Sequence, residues 1–106
     1  MEVPAAVTRM VEATNAGDSK AFVDAFADDA YLNDWGREFA GSDGVAAWNE
    51  SDNIGKQAHF EIQAARPEDS GYVVTLQVTG GGFIGTSDFY FEVDGDRVQR
   101  MIIRAD

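Results

Sequence analysis

The stretch NAGDSKAFVDAFADDAYLNDWG, residues 15–36, predicts two helices separated by a tight break. Before the break, one face of the first predicted helix carries the mainly apolar positions 3, 7, 10, 11 and 14. Gly17 suits the end of this first helix, because glycine adopts the left-handed conformation that closes many helices. Asp18 or Ser19 can then cap the next helix with a side-chain oxygen. The break therefore places two helices in succession at the start of the chain.

Two further helices are expected after this break. The first covers residues 19–29, with Phe22 and Phe26 four residues apart on one face. The second covers residues 41–51, GSDGVAAWNES, with Ser42 as its expected cap. The first half of the chain is therefore predicted to be mainly helical.

The second half of the chain has the pattern of β-strands. In QAHFEIQAA, Phe60 and its alternate neighbours are apolar, whereas His59 and its alternate neighbours are polar. The glycines at 80–82 are expected to break or bulge the chain, and DGD at 94–96 to form a hairpin turn. The expected strands are residues 57–65, 72–79, 83–93 and 97–105. Helices followed by an antiparallel meander indicate an α+β fold, with the helices on one face of a curved sheet, in a single domain over residues 1–106.

Composition excludes several classes of protein and site. The 106 residues carry a formal net charge of −11 and no cysteine, and they show neither a basic face nor a long apolar run. A nucleic-acid partner and a membrane partner are therefore not expected. The single histidine and the absence of cysteine argue against ordinary zinc spacing, so no metal and no cofactor are expected. A soluble, cytoplasmic protein is the resulting expectation.

Asp34 is the carboxylate that most needs an explanation. It follows the apolar pair Tyr31 and Leu32 and directly precedes Trp35 and a glycine. Asp34 can be a turn or capping residue at this position. It can also be a carboxylate aimed into an apolar cavity, where its reactivity changes because burial disfavours the charged form. The sequence pattern leaves both interpretations open.

The chain resembles the nuclear transport factor 2-like superfamily, which includes SnoaL-like polyketide cyclases and ketosteroid isomerases. The resemblance lies in the turn NAGD at 15–18, in FADDA at 26–30, and in FYFEVDGDRV at 89–98. It implies a cone, in which a strongly bent antiparallel sheet wraps around a long N-terminal helix, as in the cystatin-like cone. It also implies an apolar pocket at the open end of the cone and a homodimer formed through the outer face of the sheet.

The resemblance also implies catalytic residues. Asp34 falls where the ketosteroid isomerases have their general base, and Asp88 falls where they have a second pocket aspartate. The position of their catalytic tyrosine lies near Met10, which has no hydroxyl group, so a true steroid isomerase is not expected. An epoxide hydrolase of this fold would need an Asp–Arg–Asp arrangement in the pocket, for which Arg37 or Arg100 is available.

The pocket of such a protein is expected to hold a flat, apolar ligand. Its expected lining residues, which can equally fill the core, are Met10, Phe26, Trp35, Trp48 and Tyr90. Alternation along residues 83–93 does not settle whether Asp88 or its apolar neighbours face inwards; the resemblance favours Asp88. Two functions follow as hypotheses. One is an isomerase, cyclase or dehydratase that moves a proton next to a carbonyl, and the other is a non-catalytic ligand-binding or dimeric interaction module.

Overall fold

In a computed structural model the chain is described over residues 2–104. The helices are α1 (Ala5–Ala16), α2 (Ser19–Asp24) and α3 (Gly41–Asp52), followed by a 3₁₀ turn at Ile54–Lys56. The strands are β1 (Phe26–Asp34), β2 (Arg37–Ala40), β3 (His59–Glu68), β4 (Gly71–Thr79), β5 (Gly85–Asp94) and β6 (Arg97–Ile103). Their order along the chain confirms the predicted α+β class.

The break between the first two helices forms as predicted. Gly17 ends α1 in the left-handed conformation, with φ 69°. The Asp18 side chain caps α2 by accepting the Ala21 N–H at 3.0 Å. Both features follow from local chemistry, which explains why the sequence alone was sufficient to place them.

The second helix is shorter than the sequence pattern indicated, and the prediction for residues 26–29 was wrong. α2 ends at Asp24, and Phe26 already begins β1, where it pairs with Val98 of β6. The Val98 N–H donates to the Ala25 carbonyl oxygen at 2.8 Å. This pairing with a distant strand replaces the helical hydrogen bonds that the local periodicity favoured.

The third helix forms where it was predicted, but it has no Ser42 cap. α3 begins at Gly41, and no side chain caps its N-terminus. The strand β2, which directly precedes α3, was not predicted. It forms because Trp35 and Gly36 both adopt positive φ, at 54° and 94°, and this conformation turns the chain back tightly onto β1.

A single six-stranded sheet has the order β2-β1-β6-β5-β4-β3. The strands from β3 to β6 form the expected antiparallel meander. The expectation of an entirely antiparallel sheet was wrong at one pair, since β1 runs parallel to β6. Parallel pairing is available to these two strands because residues 35–96 connect them, and a parallel pair needs a connection of about a dozen residues or more.

The loop between β4 and β5 differs from its prediction at one end. The glycines at 80–82 break the chain as expected, but β5 begins only at Gly85. Phe83 and Ile84 therefore lie in the loop, where they are exposed. The last strand ends at Ile103, and residue 105, predicted to be its end, lies outside the described residues.

The helices and the sheet share one hydrophobic core. α1 packs against β3 and β6, and α3 packs against β1. Within residues 2–104, no helix is long and apolar enough to cross a membrane. The cytoplasmic location and the single-domain boundary stay predictions.

Candidate functional site

A cavity of about 410 Å³ opens between the end of α3, the 3₁₀ turn and the strands. Its apolar wall comprises Trp48, Ala58, Phe60, Val78, Phe89 and Ile103. Its polar lining comprises Asp34, Arg37, Asp52, Asn53, Lys56 and Ser87. The lining is completed by Gly82 and by Trp35 and Phe83, which are both about half exposed. An apolar wall with a few polar groups is the usual composition of a small-molecule site.

Asp34 is both a strand end and a cavity residue. It is the last residue of β1 and pairs across the tight turn with Arg37. Its carboxylate is only 18% exposed and lines the cavity. The indole Nε1 of Trp48 donates to Asp34 Oδ2 at 2.9 Å, and Arg37 Nη2 donates to the same oxygen at 2.7 Å. Among the described residues, no donor bonds to Oδ1, so that oxygen is the one available to a ligand.

Arg37 joins two carboxylates at the polar end of the cavity. Its Nη2 atom also donates to Asp52 Oδ1 at 3.0 Å. The hydrogen bonds to Asp52 and then to Asp34 raise the pKa of Arg37 above its usual value. Burial alone would raise the pKa of Asp52, but hydrogen bonds from Ser51 and Arg37 outweigh burial and lower it. We call Asp34, Arg37 and Asp52 the Asp–Arg–Asp cluster.

Asp88 lies on the opposite side of the sheet from the cavity. Ser87 and Phe89, its neighbours on β5, line the cavity, so the alternation of the strand directs Asp88 outwards. The Thr75 hydroxyl donates to Asp88 Oδ1 at 2.6 Å, and Arg66 Nη2 lies 4.0 Å from Oδ2. The expectation that Asp88 faces the cavity was therefore wrong, and the structure does not bring Asp88 and Asp34 together.

Tyr90 shares the outer face of β5 with Asp88, contrary to its expected place in the pocket. Its hydroxyl donates to Glu92 at 2.7 Å, and this bond raises the pKa of Tyr90. The guanidinium of Arg104, which is bonded to Glu68, lies over its ring at 5.5 Å. Tyr90 is thus held by an outer charged network.

The other expected lining residues divide between the cavity and the core. Trp35 and Trp48 line the cavity together with Asp34. Met10 and Phe26 do not; they are almost fully buried, and Phe26 packs its ring against Phe22 at 5.1 Å. These two residues fill the core because they lie on the faces that α1 and β1 turn towards it.

Several cavity residues were not singled out in the sequence. Arg37 was named only as one of two arginines available to an epoxide hydrolase, and a two-residue turn after Asp34 would also place it directly opposite. Asp52 had only its position at the end of a predicted helix. No sequence signal marked the other three polar residues, because loop packing and strand phase bring them to the cavity: Asn53, Lys56 and Ser87.

Comparison with known proteins extends this picture. The family model of the SnoaL-like domain matches residues 7–101. No curated protein sequence matches the chain significantly. Among solved structures, a candidate polyketide cyclase from Sinorhizobium meliloti superposes with a TM-score of 0.82 at 21% identity, covering 96% of this chain and 95% of that one.

Two further structures share the fold. The Delta 5-3-ketosteroid isomerase from a Mycobacterium species has a TM-score of 0.74 and 20% identity, with 96% of this chain and 91% of that one covered. A computationally designed 17-OHP binder has a TM-score of 0.79 and 18% identity, with 100% and 93% covered. These identities establish the fold alone, whereas the family model covers most of the sequence. The resemblance to the nuclear transport factor 2-like superfamily is confirmed, and the chain belongs to the family of SnoaL-like domains.

Proposed function

We propose that the cavity binds a flat, apolar, carbonyl-bearing molecule and that Asp34 moves a proton next to its carbonyl. The observation that carries the proposal is the carboxylate of Asp34 at the polar end of an otherwise apolar cavity, with Oδ1 free of protein donors among the described residues. The reaction would be an isomerisation, a cyclisation or a dehydration.

The proton transfer can be written with this chain's own residues. Asp34 Oδ1 takes the proton from the carbon next to the carbonyl, and the electron pair moves to the carbonyl oxygen as an enolate. The cations of Arg37 and Lys56 line the same cavity and can stabilise that developing charge. Return of a proton from Asp34 to carbon completes the turnover. Asp88 does not enter this scheme, because its side chain faces away from the cavity.

Hydrogen–deuterium exchange of 2-tetralone tests the proposal. This probe is flat and apolar and has exchangeable hydrogens beside a carbonyl. We expect the protein in D₂O to accelerate exchange, followed by NMR, and Asp34→Asn to lose about 10²–10⁴ of that acceleration. Asp28→Asn, on the same strand but exposed, is the matched control. Binding without accelerated exchange would favour the non-catalytic ligand-binding module, and absence of both would overturn the proposal.

Epoxide hydration is a second candidate, favoured by the Asp–Arg–Asp cluster. Asp34 would take a proton from a water molecule while the oxygen of that water attacks an epoxide carbon. Protonated Asp52 would give a proton to the epoxide oxygen as its bond to that carbon breaks. The lowered pKa of Asp52 weighs against this candidate, since the donor must be protonated. Diol formation from styrene oxide that is lost in both Asp34→Asn and Asp52→Asn would favour it over the carbonyl reaction.

A homodimer through the outer sheet face is a further part of the proposal. That face carries the Arg66–Asp88 and Arg104–Glu68 pairs and the hydrogen-bonded Tyr90. A polar face of this kind favours a partner with complementary charges, and two-fold symmetry would supply them from the second copy. Light scattering at low and high salt tests this: a dimer that dissociates with salt supports it, and a monomer at every protein concentration overturns it.

A further inference from the structure

Two buried polar atoms of the cavity residues have no protein partner. Within residues 2–104, Ser87 Oγ and Asn53 Oδ1 are the buried side-chain oxygen or nitrogen atoms without a hydrogen bond. Ser87 is 4% exposed and Asn53 is fully buried. Both residues line the same cavity. A buried polar group without a hydrogen-bond partner destabilises a fold. The presence of two such groups beside one cavity therefore needs an explanation.

The orientation of the Asn53 amide is fixed by its neighbours. Its Nδ2 donates to Thr14 Oγ1 at 3.0 Å and to Asn49 Oδ1 at 3.1 Å. Turning the amide over would set its oxygen against the oxygen of Asn49, which already accepts the Ile54 N–H. Asn53 Oδ1 is therefore an acceptor whose orientation is settled, and its full burial keeps it out of contact with a ligand in the cavity.

Ser87 lies in the apolar part of the cavity wall. It pairs with Leu76 across β4 and β5, and Phe89 follows it on the same face of β5. β6 separates β5 from β1, so Ser87 and Asp34 belong to strands about 10 Å apart. Ser87 is 4% exposed, and its buried Oγ can meet a ligand only after rotation about the Cα–Cβ bond.

We propose that the ligand carries a second oxygen away from its reacting carbonyl, and that Ser87 recognises this oxygen. Ser87 Oγ–H, which has no partner in the ligand-free protein, donates to the second oxygen. The ligand class is therefore an apolar ketone that carries a second oxygen acceptor, such as a hydroxyl or an ether. This inference rests on the proposed function and adds a requirement to it.

Three related probes test the inference by calorimetry. They are 2-tetralone, 6-methoxy-2-tetralone, whose second oxygen only accepts, and 6-hydroxy-2-tetralone, whose second oxygen accepts and donates. We expect the hydroxy and methoxy compounds each to bind about five- to tenfold more tightly than the parent, because both offer an acceptor to Ser87. Ser87→Ala should remove the advantage of the methoxy compound over the parent. Thr86→Ala, which removes the adjacent exposed hydroxyl, is the matched control and should leave that advantage intact.

The stability of the ligand-free protein gives an independent measurement. Ser87→Ala should raise the melting temperature, because it removes a buried hydroxyl without a partner.

Equal affinities for the three probes, or an unchanged methoxy preference in Ser87→Ala, would overturn the inference while leaving the proposed function standing. Failure of 2-tetralone itself to bind would overturn both.

Discussion

The two faces of the sheet each hold an aspartate near an arginine, but in different surroundings. On the cavity side, Asp34 is 18% exposed and is bonded to Arg37 and Trp48 at 2.7 and 2.9 Å. On the outer side, Asp88 is 34% exposed, and its arginine lies 4.0 Å away. Strand alternation places one carboxylate in an apolar cavity and the other at the solvent edge. The difference shows that strand phase, and not residue type, decides which carboxylate lines the cavity.

The most direct test of this comparison is to neutralise each carboxylate in turn. Asp34→Asn should reduce the exchange of 2-tetralone by about 10²–10⁴, because it removes the proposed base. The reduction of exchange in Asp88→Asn should be smaller than that in Asp34→Asn by about tenfold or more, since the Asp88 side chain faces outwards. Equal losses in the two variants, measured by NMR in D₂O, would contradict the assignment of Asp34 as the base.

The two faces of β5 should also differ in stability. Phe89→Ala should lower the free energy of unfolding by about 3–5 kcal/mol, because Phe89 is buried and packs against the rings of Phe60 and Phe91. Asp88→Ala should lower it by no more than about 1 kcal/mol, as expected for a partly exposed ion pair. Urea denaturation of the two variants measures both values. Comparable losses would contradict the inward orientation of Phe89.

The hydrogen bonds that hold the two carboxylates offer a smaller contrast. Trp48→Phe removes the indole N–H from Asp34 and should lower the free energy of unfolding by about 1.5–3 kcal/mol, as for a bond to a charged group. Thr75→Val removes the hydroxyl from the more exposed Asp88 and should cost about 1 kcal/mol or less. Urea denaturation would contradict the comparison if Thr75→Val were the more damaging change.

The smallest expected effect is in the acid range. The pKa of Asp52 is lowered in the folded state, so its contribution to stability is present above about pH 4 and is lost as the pH falls through the folded value. Asp52→Asn should therefore flatten the decline of stability between neutral pH and about pH 3, by under about 1 kcal/mol. The comparison on the outer face is Glu68→Gln, because the hydrogen bond from Arg104 likewise lowers the pKa of Glu68. Melting curves across this range would contradict the prediction if Asp52→Asn steepened the decline.

Local chemistry was predictable from the sequence, and long-range pairing was not. The Gly17 helix end, the Asp18 cap and the third helix follow from neighbouring residues. The start of β1 at Phe26 was missed because it depends on pairing with Val98, far along the chain. β2 was missed because its turn places a tryptophan, Trp35, at positive φ.

The candidate site divides in the same way. Asp34, Trp35 and Trp48 were found because a carboxylate among aromatic residues is conspicuous in a sequence. Asp52, Asn53 and Ser87 reach the cavity only through folding, and the inner face of β5 is decided by packing in the hydrophobic core. A strand that is apolar on both faces at Phe89 and Tyr90 cannot reveal its inner face by alternation alone.

The sequence by itself determined the α+β class, the order of most elements and the family resemblance, and through that resemblance the expectation that Asp34 lies in the pocket. These depend on local periodicity, turn chemistry and motifs that adjacent residues carry. The tertiary structure decided that Asp88 and Tyr90 face outwards, that Met10 and Phe26 fill the core, and that Arg37 joins Asp34 to Asp52. Those outcomes depend on register and packing between distant segments, which place a side chain on one face of a sheet or the other.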